Sequence, residues 1–447
     1  MKNIIFITFL IFAITAKSQE VKSLTLKDAI TYALENKADA KKAKLKIENS
    51  EYQIQEIRSR ALPQISANGG LIYNPVLQTT FLDAGSFGGE KGQTIQATFG
   101  QKWSSVAGLS LTQTLFDQSV FTGLKAAKST REFYQINDQL TEEQVIERVA
   151  NNYYQVYVQR QKLTVLDSNY VNTNKVKNII KGQFDNGLAK KIDLDRILVK
   201  ISNINTLRQQ VLNAVQLQEN ALKFYIGMPI QTKIIIPQTE FQVTPQPLSE
   251  TPNTENRTEY LLLKKQEQLL SFQKKADEAA YYPSLNLSAG YNYIGQGPKI
   301  PWGAKPADGV YWSDFSSIGL NLKVPIFSGF ATRAKVRQAD INLRSIKEDL
   351  NDTKLGLDLA YENARIQINN SIITIGNQKT NAQLAQDVLN NTRNNYIQGL
   401  ASLTDLLDAE NSLTEARNNY TSAVLDYKLA EIQLIKSKGE LRTLITN

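Results

Sequence analysis

The sequence predicts a mainly α-helical protein that also carries a membrane β-barrel and contains two internal repeats of helix, strand, strand, long helix and second helix. Three observations lead to this fold class. One order of sequence signals occurs twice, the spacing of apolar residues changes from helical to strand-like within each copy, and two long stretches contain no proline. Together they predict helices too long for a compact globular domain.

The repeat is clearest around two glycines. Gly187-Leu188 is followed by Asp193, and Gly399-Leu400 is followed by Asp405, at a constant offset of 212 residues. We therefore assign residues 19–227 to a first repeat and residues 258–447 to a second. Residues 228–257 hold five of the twelve prolines, which predicts an equatorial linker between the copies.

The amino terminus has the pattern of a secretory signal peptide over residues 1–18. Lys2 precedes the apolar run Ile4–Ile14, and the small residues Ala16 and Ser18 precede a plausible cleavage site. A membrane anchor is the alternative, but it needs about twenty apolar residues. The mature protein is therefore expected to be exported.

Four segments alternate apolar with small or polar residues, as strands of a membrane β-barrel do. The pattern also fits a soluble sheet with one solvated face. Four strands cannot close a barrel, because the smallest barrels have about eight, so the membrane interpretation requires oligomerisation. Three copies would supply twelve strands. The predicted strands are about 63–73, 105–115, 283–294 and 316–326.

The proline-free stretches predict long helices at about 119–184 and 330–396, each roughly 100 Å long at 1.5 Å per residue. Shorter helices are expected at about 193–227 and 405–439. In the last of these, large apolar residues recur every seven positions from Leu406, with an alanine column between them. This is the seam of a coiled coil, and the small alanines predict close packing on the long helix of the same copy.

Composition excludes several kinds of chemistry. The chain has no cysteine and no histidine, so disulfides, thiol catalysis, Cys/His zinc sites and histidine-based triads are ruled out. We predict no catalytic, cofactor-binding or metal-binding residues and no enzyme activity. The net charge of +8 is spread without a basic block, which argues against a nucleic-acid partner.

The chain resembles the TolC-like outer membrane efflux protein family. The resemblance is carried by the paired copies, the strand sequence at Pro283–Tyr291, the Val-Pro-Ile-Phe-Ser-Gly sequence at Val324–Gly329 and the segment Tyr396–Glu410. It implies a homotrimer with a twelve-stranded barrel in the cell outer membrane that continues into an α-helical coiled-coil tunnel across the periplasm.

The resemblance also implies the function and the partners. The protein would be the exit duct of a tripartite efflux or type I secretion system and a passive conduit without cofactors. Its partners would be outer membrane lipid, a periplasmic adaptor (membrane fusion) protein and an inner-membrane transporter of the RND, ABC or MFS type.

The same resemblance assigns a periplasmic gate to Asp193, Tyr396, Asp405 and Asp408. Asp405 and Asp408 are three residues apart on one helix, so three copies would place six carboxylates around an axis, where they favour cations. The alternative for Asp193 and Asp405 is simple capping of the helix start, which is compatible with gating. The sequence departs from the family pattern at Ala401, where an arginine is often found; Lys190, Lys191 or Arg196 is expected to replace it.

The turns at Gly187-Leu188 and Gly399-Leu400 are where the resemblance implies that the adaptor docks. Their alternative role is that of ordinary turn residues.

Two other kinds of protein fit the sequence less well. A trimeric coiled-coil surface protein or adhesin with a barrel anchor would explain the heptads, but not a strand hairpin between long helices in each repeat. A barrel-embedded enzyme would need a catalytic constellation, and the sequence offers none.

Overall fold

The computed structural model describes residues 22–88, 90–237 and 253–446, so the predicted signal peptide and half of the predicted linker lie outside the described residues. The chain divides into two compact units. The first contains residues 1–47, 133–264 and 348–447, and the second contains residues 48–132 and 265–347. These units differ from the boundaries expected from the repeats, because each repeat contributes its strands to one unit and its tip helices to the other.

The helices carry most of the described residues. Two of them, one in each repeat, have 68 and 67 residues. Within the described ranges, none of the helices combines the length and the apolar content that a membrane crossing requires. The helices are α1 (Leu26–Asn36), α2 (Ala38–Ser59), α3 (Gln118–Asp185), α4 (Lys191–Ile226), α5 (Thr258–Ala279), α6 (Ala331–Ile397), α7 (Leu403–Lys438) and α8 (Thr443–Thr446).

Within the described part of the chain, the strands form three sheets. The short parallel pair β1 and β6 belongs to the first unit, and the other two sheets belong to the second. The strands are β1 (Lys22–Ser23), β2 (Gln64–Tyr73), β3 (Thr79–Asp83), β4 (Thr94–Thr98), β5 (Trp103–Phe116), β6 (Ile234–Ile235), β7 (Ser284–Gly297) and β8 (Tyr311–Lys323).

The main sheet has four antiparallel strands in the order β2-β5-β7-β8. Its central pair joins β5 of the first repeat to β7 of the second, so the two copies share one sheet. Gly108 lies directly opposite Asn292, and a Cβ atom at Gly108 would come within 2.2 Å of the Asn292 side chain. A glycine at position 108 leaves room for the Asn292 side chain, so that β5 and β7 can pair at this point.

The two faces of this sheet differ in polarity. Because side chains alternate along each strand, the register assigns every residue to one face or the other. One face carries serine, threonine and asparagine side chains, including a hydrogen bond of 2.7 Å between the hydroxyls of Ser66 and Ser110. The other face is apolar and exposed, with Ile318, Leu320 and Leu322 between 65% and 82% exposed.

The connection between β2 and β5 contains more structure than a simple loop. Strands β3 and β4 pair in an antiparallel hairpin, closed by a short 3-10 turn at Ala84–Phe87. The Asp83 carboxylate accepts hydrogen bonds from the amides of Gly85 and Gly92, at 3.4 and 3.1 Å. These two strands were not predicted, because five residues are too few to show a clear period of two.

Strand β8 is shifted towards the amino terminus relative to the predicted range of 316–326. It begins at Tyr311, whose partner is Gln296 on β7, and ends at Lys323. Pro325 has no amide hydrogen to donate to a ladder, so the pairing with β7 ends before it. The β7 strand likewise extends beyond its predicted end.

The core of the first unit is largest where α1, α3, α4 and α7 meet β6. Ile30, Ile146, Leu222 and Ile226 are fully buried there, and Ile432 is 1% exposed. A second cluster joins α6 to α7 through Tyr361, Ile368 and Ile375 on one helix and the alanine and heptad positions of the other. This is the contact within one copy that the alanine column predicts.

Candidate functional site

The candidate site is the tip of the first unit, where α3 turns into α4 and α6 turns into α7. The amide of Leu188 donates to the carbonyl five residues earlier at 2.7 Å, and the amide of Leu400 does the same at 2.8 Å. Gly187 and Gly399 both have a φ angle of 74°, the left-handed conformation that favours glycine. Both long helices therefore end in the same Schellman motif.

The turns project apolar side chains into solvent. Leu188 is 82% exposed and Leu400 is 75% exposed, and neither belongs to the apolar cluster beneath them. A Cβ atom at Gly187 or Gly399 would meet no atom within 4 Å, so only the backbone conformation restricts these positions. Exposed leucines on two matching turns form a surface suited to a partner.

Asp405 lies at the third position of α7 and forms a capping box with Ser402. Its carboxylate accepts from the Ser402 amide at 2.8 Å, and the Asp405 amide donates to the Ser402 hydroxyl at 3.1 Å. Hydrogen bonds from the Ser402 side chain and backbone lower the pKa of Asp405 below its usual value of 3.8. Asp405 is exposed and remains charged at neutral pH, so the capping role leaves its charge available to the surroundings.

Asp193 does not cap α4. The N-cap residue is Lys190, which makes no side-chain capping hydrogen bond. Instead, Asp193 forms an ion pair of 3.6 Å with Arg196, whose guanidinium also donates to the hydroxyl of Thr404 at 3.5 Å. Arg196 is one of the three basic residues that the sequence analysis named. It links the start of α4 to the start of α7, next to Asp405.

Tyr396 and Asp193 lie close enough to affect each other electrostatically. Burial of the Tyr396 side chain raises its pKa, and the negative charge of Asp193 raises it further. The two turns therefore bring together the tyrosine of the second copy and the acid of the first.

Asp408 is exposed and lies one turn beyond Asp405 on α7. Its nearby basic group is Lys200 on α4, which the sequence analysis did not identify. Burial lowers the pKa of Lys200, and the charges of Glu410 and Asp408 oppose that effect. Asp193 and Asp408 thus each have a cation of α4 beside them, Arg196 and Lys200.

A shared apolar cluster holds the four tip helices in place. Its fully buried residues include Ile180 of α3, Ile197 of α4 and Leu406 of α7, and Leu389 of α6 is 4% exposed. Burying such side chains contributes about 1.5–3 kcal/mol each. Leu403 and Leu406 lie on the buried face of α7, and this orientation leaves Asp405 and Asp408 exposed.

Sequence reasoning missed Glu410, a carboxylate buried within this cluster at 3% exposure. Its spacing contained the signal. Positions 403, 406, 410 and 413 follow the three-four spacing of a buried helix face, and the other three residues are leucines. Within the described ranges, no group of three or more acidic side chains lies close enough to hold a metal ion.

Comparison with protein families and individual sequences gives matches over most of the chain. The family described as "Outer membrane efflux protein" matches residues 29–228 and 263–440. The outer membrane protein TolC of Vibrio cholerae is 26% identical over 352 residues, covering 75% of this chain and 76% of that protein. The alkaline protease secretion protein AprF of Pseudomonas aeruginosa is 25% identical over 389 residues, covering 84% and 76%.

Comparison with solved structures gives the same fold. The crystal structure of the outer membrane protein VceC from Vibrio cholerae superposes with a TM-score of 0.71 over 93% of this chain and 96% of that chain. Its sequence identity of 16% makes this a similarity of fold alone.

Proposed function

Because the chain belongs to the outer membrane efflux protein family, we propose that it is the outer membrane exit channel of a tripartite efflux or type I secretion system. It acts as a passive conduit from the periplasm to the exterior, gated at the tip of its periplasmic helices. The energy for export comes from the inner-membrane partner.

The four-stranded sheet supports the membrane part of this proposal. Its exposed apolar face, which includes Ile318, Leu320 and Leu322 on β8, suits contact with lipid, and its polar face suits a water-filled interior. Its two edge strands, β2 and β8, leave hydrogen-bonding groups that lipid does not satisfy. Closure of three sheets into one barrel of twelve strands satisfies them and gives a homotrimer.

The observation that carries the gating proposal is the proximity of the two turns at the tip. Asp193 and Tyr396 approach each other across the two turns, while Asp405 and Asp408 remain exposed on α7 beside them. Around a three-fold axis, the α7 aspartates form a ring of six carboxylates that favours cations and narrows the opening. Arg196, which pairs with Asp193 on α4, donates to the Thr404 hydroxyl of α7 and so connects the starts of the two helices.

The exposed turns supply the proposed docking surface for the periplasmic adaptor. Gly187-Leu188 and Gly399-Leu400 present matching leucines, one on each helical hairpin. The inner-membrane transporter is of the RND, ABC or MFS type. AprF is named as a protein for secretion of alkaline protease. Protein export by type I secretion is therefore proposed as an alternative to small-molecule efflux. The alternative of a surface adhesin has no support among these relatives.

Membrane fractionation followed by planar bilayer recording tests the proposal. The mature chain is expected in the outer membrane fraction, and the extracted protein is expected to produce discrete single-channel currents. Recovery as a soluble periplasmic monomer, or absence of current from protein that is folded in detergent, would contradict it.

A further inference from the structure

Glu410 occupies the interior of the tip, where groups from three other helices face it. Its Oε2 accepts a hydrogen bond from the Thr173 hydroxyl of α3 at 3.3 Å. Arg393 of α6 places Nη2 3.7 Å from Oε1, and Lys200 of α4 attracts the carboxylate electrostatically. One side chain of α7 therefore interacts with both helical hairpins.

These interactions do not satisfy an ionised carboxylate, which has about four sites for hydrogen-bond donors. Thr173 has one hydroxyl hydrogen and lies nearer to the Asn169 oxygen, at 3.1 Å, than to Glu410. Oε1 is buried, and among the described residues it accepts no hydrogen bond within 3.5 Å. Incomplete compensation of a buried charge destabilises the packing around it.

A small cavity beside Glu410 does not supply the hydrogen bonds that its carboxylate lacks. It has a volume of about 20 Å³, which admits about one water molecule. Asn169, Asn172 and Arg417 contribute to its walls. A single water there would provide at most two hydrogen bonds to the carboxylate.

We propose that Glu410 is a positioning residue of the gate: its under-compensated carboxylate keeps α7 weakly packed against α3, α4 and α6, so that Asp405 and Asp408 can move apart. The proposal rests on the proposed channel function. It gives Glu410 a role distinct from the exposed acids, since Glu410 acts from within the protomer and never lines the opening.

The sign of the pH dependence follows from burial. Burial raises the pKa of Glu410 above its usual 4.5, while Arg393, the Thr173 hydrogen bond and Lys200 oppose the rise. The packed tip therefore binds a proton more tightly than a tip in which Glu410 reaches water. Acidification towards pH 4.5 favours the packed, closed tip, and neutral pH favours opening. Arg393 and Arg417 remain charged throughout this range.

Glu410→Gln tests the proposal because it keeps the shape of the side chain and removes its charge. The matched control is Glu415→Gln, an exposed glutamate on the same helix. In planar bilayers, the wild type and the control should lose conductance several-fold between neutral pH and pH values just above 4.5. Glu410→Gln should have, at both pH values, the low conductance that the wild type shows at acidic pH. A wild-type pH profile in Glu410→Gln would overturn the proposal.

A second measurement does not depend on conduction. The chain has no cysteine, so Ala409→Cys, at a position 7% exposed, introduces one buried thiol into the tip. Its maleimide labelling rate, divided by that of a protein with Asn411→Cys at an exposed position, reports opening without the intrinsic pH dependence of the thiol. Adding Glu410→Gln should lower this ratio several-fold at neutral pH.

An unchanged labelling ratio would also contradict the role of Glu410. The two measurements separate the hypotheses. A wild-type protein that conducts no current contradicts the channel function, and the labelling ratio still decides whether Glu410 weakens the packing of the tip.

Discussion

At the scale of single residues, the acids at the start of α7 combine two physical roles. Asp405 stabilises the helix through the capping box with Ser402, and its charge remains exposed. Asp408 has no part in that box and lies beside Lys200. Substitutions can therefore remove the proposed gating charges of Asp405 and Asp408 separately from the capping hydrogen bond of Ser402.

We predict that Asp405→Ala combined with Asp408→Ala raises single-channel conductance several-fold and weakens block by divalent cations, because the ring of carboxylates is lost. Single-channel recording measures both effects. Unchanged conductance and block would exclude these acids from the constriction.

Ser402→Ala is the matched control for this pair. It removes the hydroxyl of the cap, costs about 1 kcal/mol of local helix stability and leaves the acidic charges in place. Hydrogen exchange of the first amides of α7 measures the loss, and conductance should stay at the wild-type value. The lowered pKa of Asp405 means that its stabilising contribution persists at neutral pH and disappears only as the pH falls below 3.8.

The sequence predicted part of this site. The spacing of Asp405 and Asp408 and the repeat at Gly187 and Gly399 are local patterns, so they can be recognised without coordinates. The proximity of Lys200 to Asp408 depends on how α4 packs against α7, which no local pattern specifies. Glu410 escaped attention because acidic residues are expected on solvated faces, although its spacing is that of a buried position.

At the scale of elements, the two helix turns provide a test of adaptor docking. Leu188→Ser with Leu400→Ser should reduce export strongly while trimers remain intact, because both side chains are exposed and contribute little to folding. Export of a substrate in cells and the oligomeric state on a native gel are the two measurements.

The matched control for the turns is Val76→Ser, an apolar residue 86% exposed in the second unit. It should leave export unaffected. Normal export by the double variant at the turns would remove them from the docking surface.

The sheet provides a second test at this scale. Leu320→Arg places a charge on the apolar face and should cost about 2–4 kcal/mol if that face meets the centre of the bilayer. Ser317→Arg places the same charge on the opposite face and serves as the control. Folding into lipid vesicles, followed by the shift of the folded band on a gel, compares them. Equal folding of the two variants would argue against lipid contact.

The long helices could be predicted from the sequence more accurately than the short strands, for physical reasons. The ranges of α3 and α6 agree to about one residue with the predicted 119–184 and 330–396, because a long helix needs only the absence of breakers and a continuous apolar stripe. The hairpin of β3 and β4 was not predicted, since strands of five residues carry little periodic signal. The parallel pair of β1 and β6 joins segments about 210 residues apart, and nothing local indicates that contact.

At the scale of the whole molecule, the two sequence repeats and the two compact units are different divisions of one chain. Each repeat supplies a hairpin of strands to the second unit and a hairpin of helices to the first. Neither repeat could form either unit alone, because β5 pairs with β7 and the tip cluster draws on α3, α4, α6 and α7. The repeat is therefore a unit of sequence and not of folding. The sheet and the tip form only when the two copies pack together.

In the proposed assembly, three chains close one channel. Native mass spectrometry of the protein extracted from the outer membrane in detergent tests it most directly, since each 50.1 kDa chain, less any signal peptide, is readily counted. One dominant species of three chains is expected. A folded, stable monomer as the dominant species would contradict it, because four strands cannot enclose a channel.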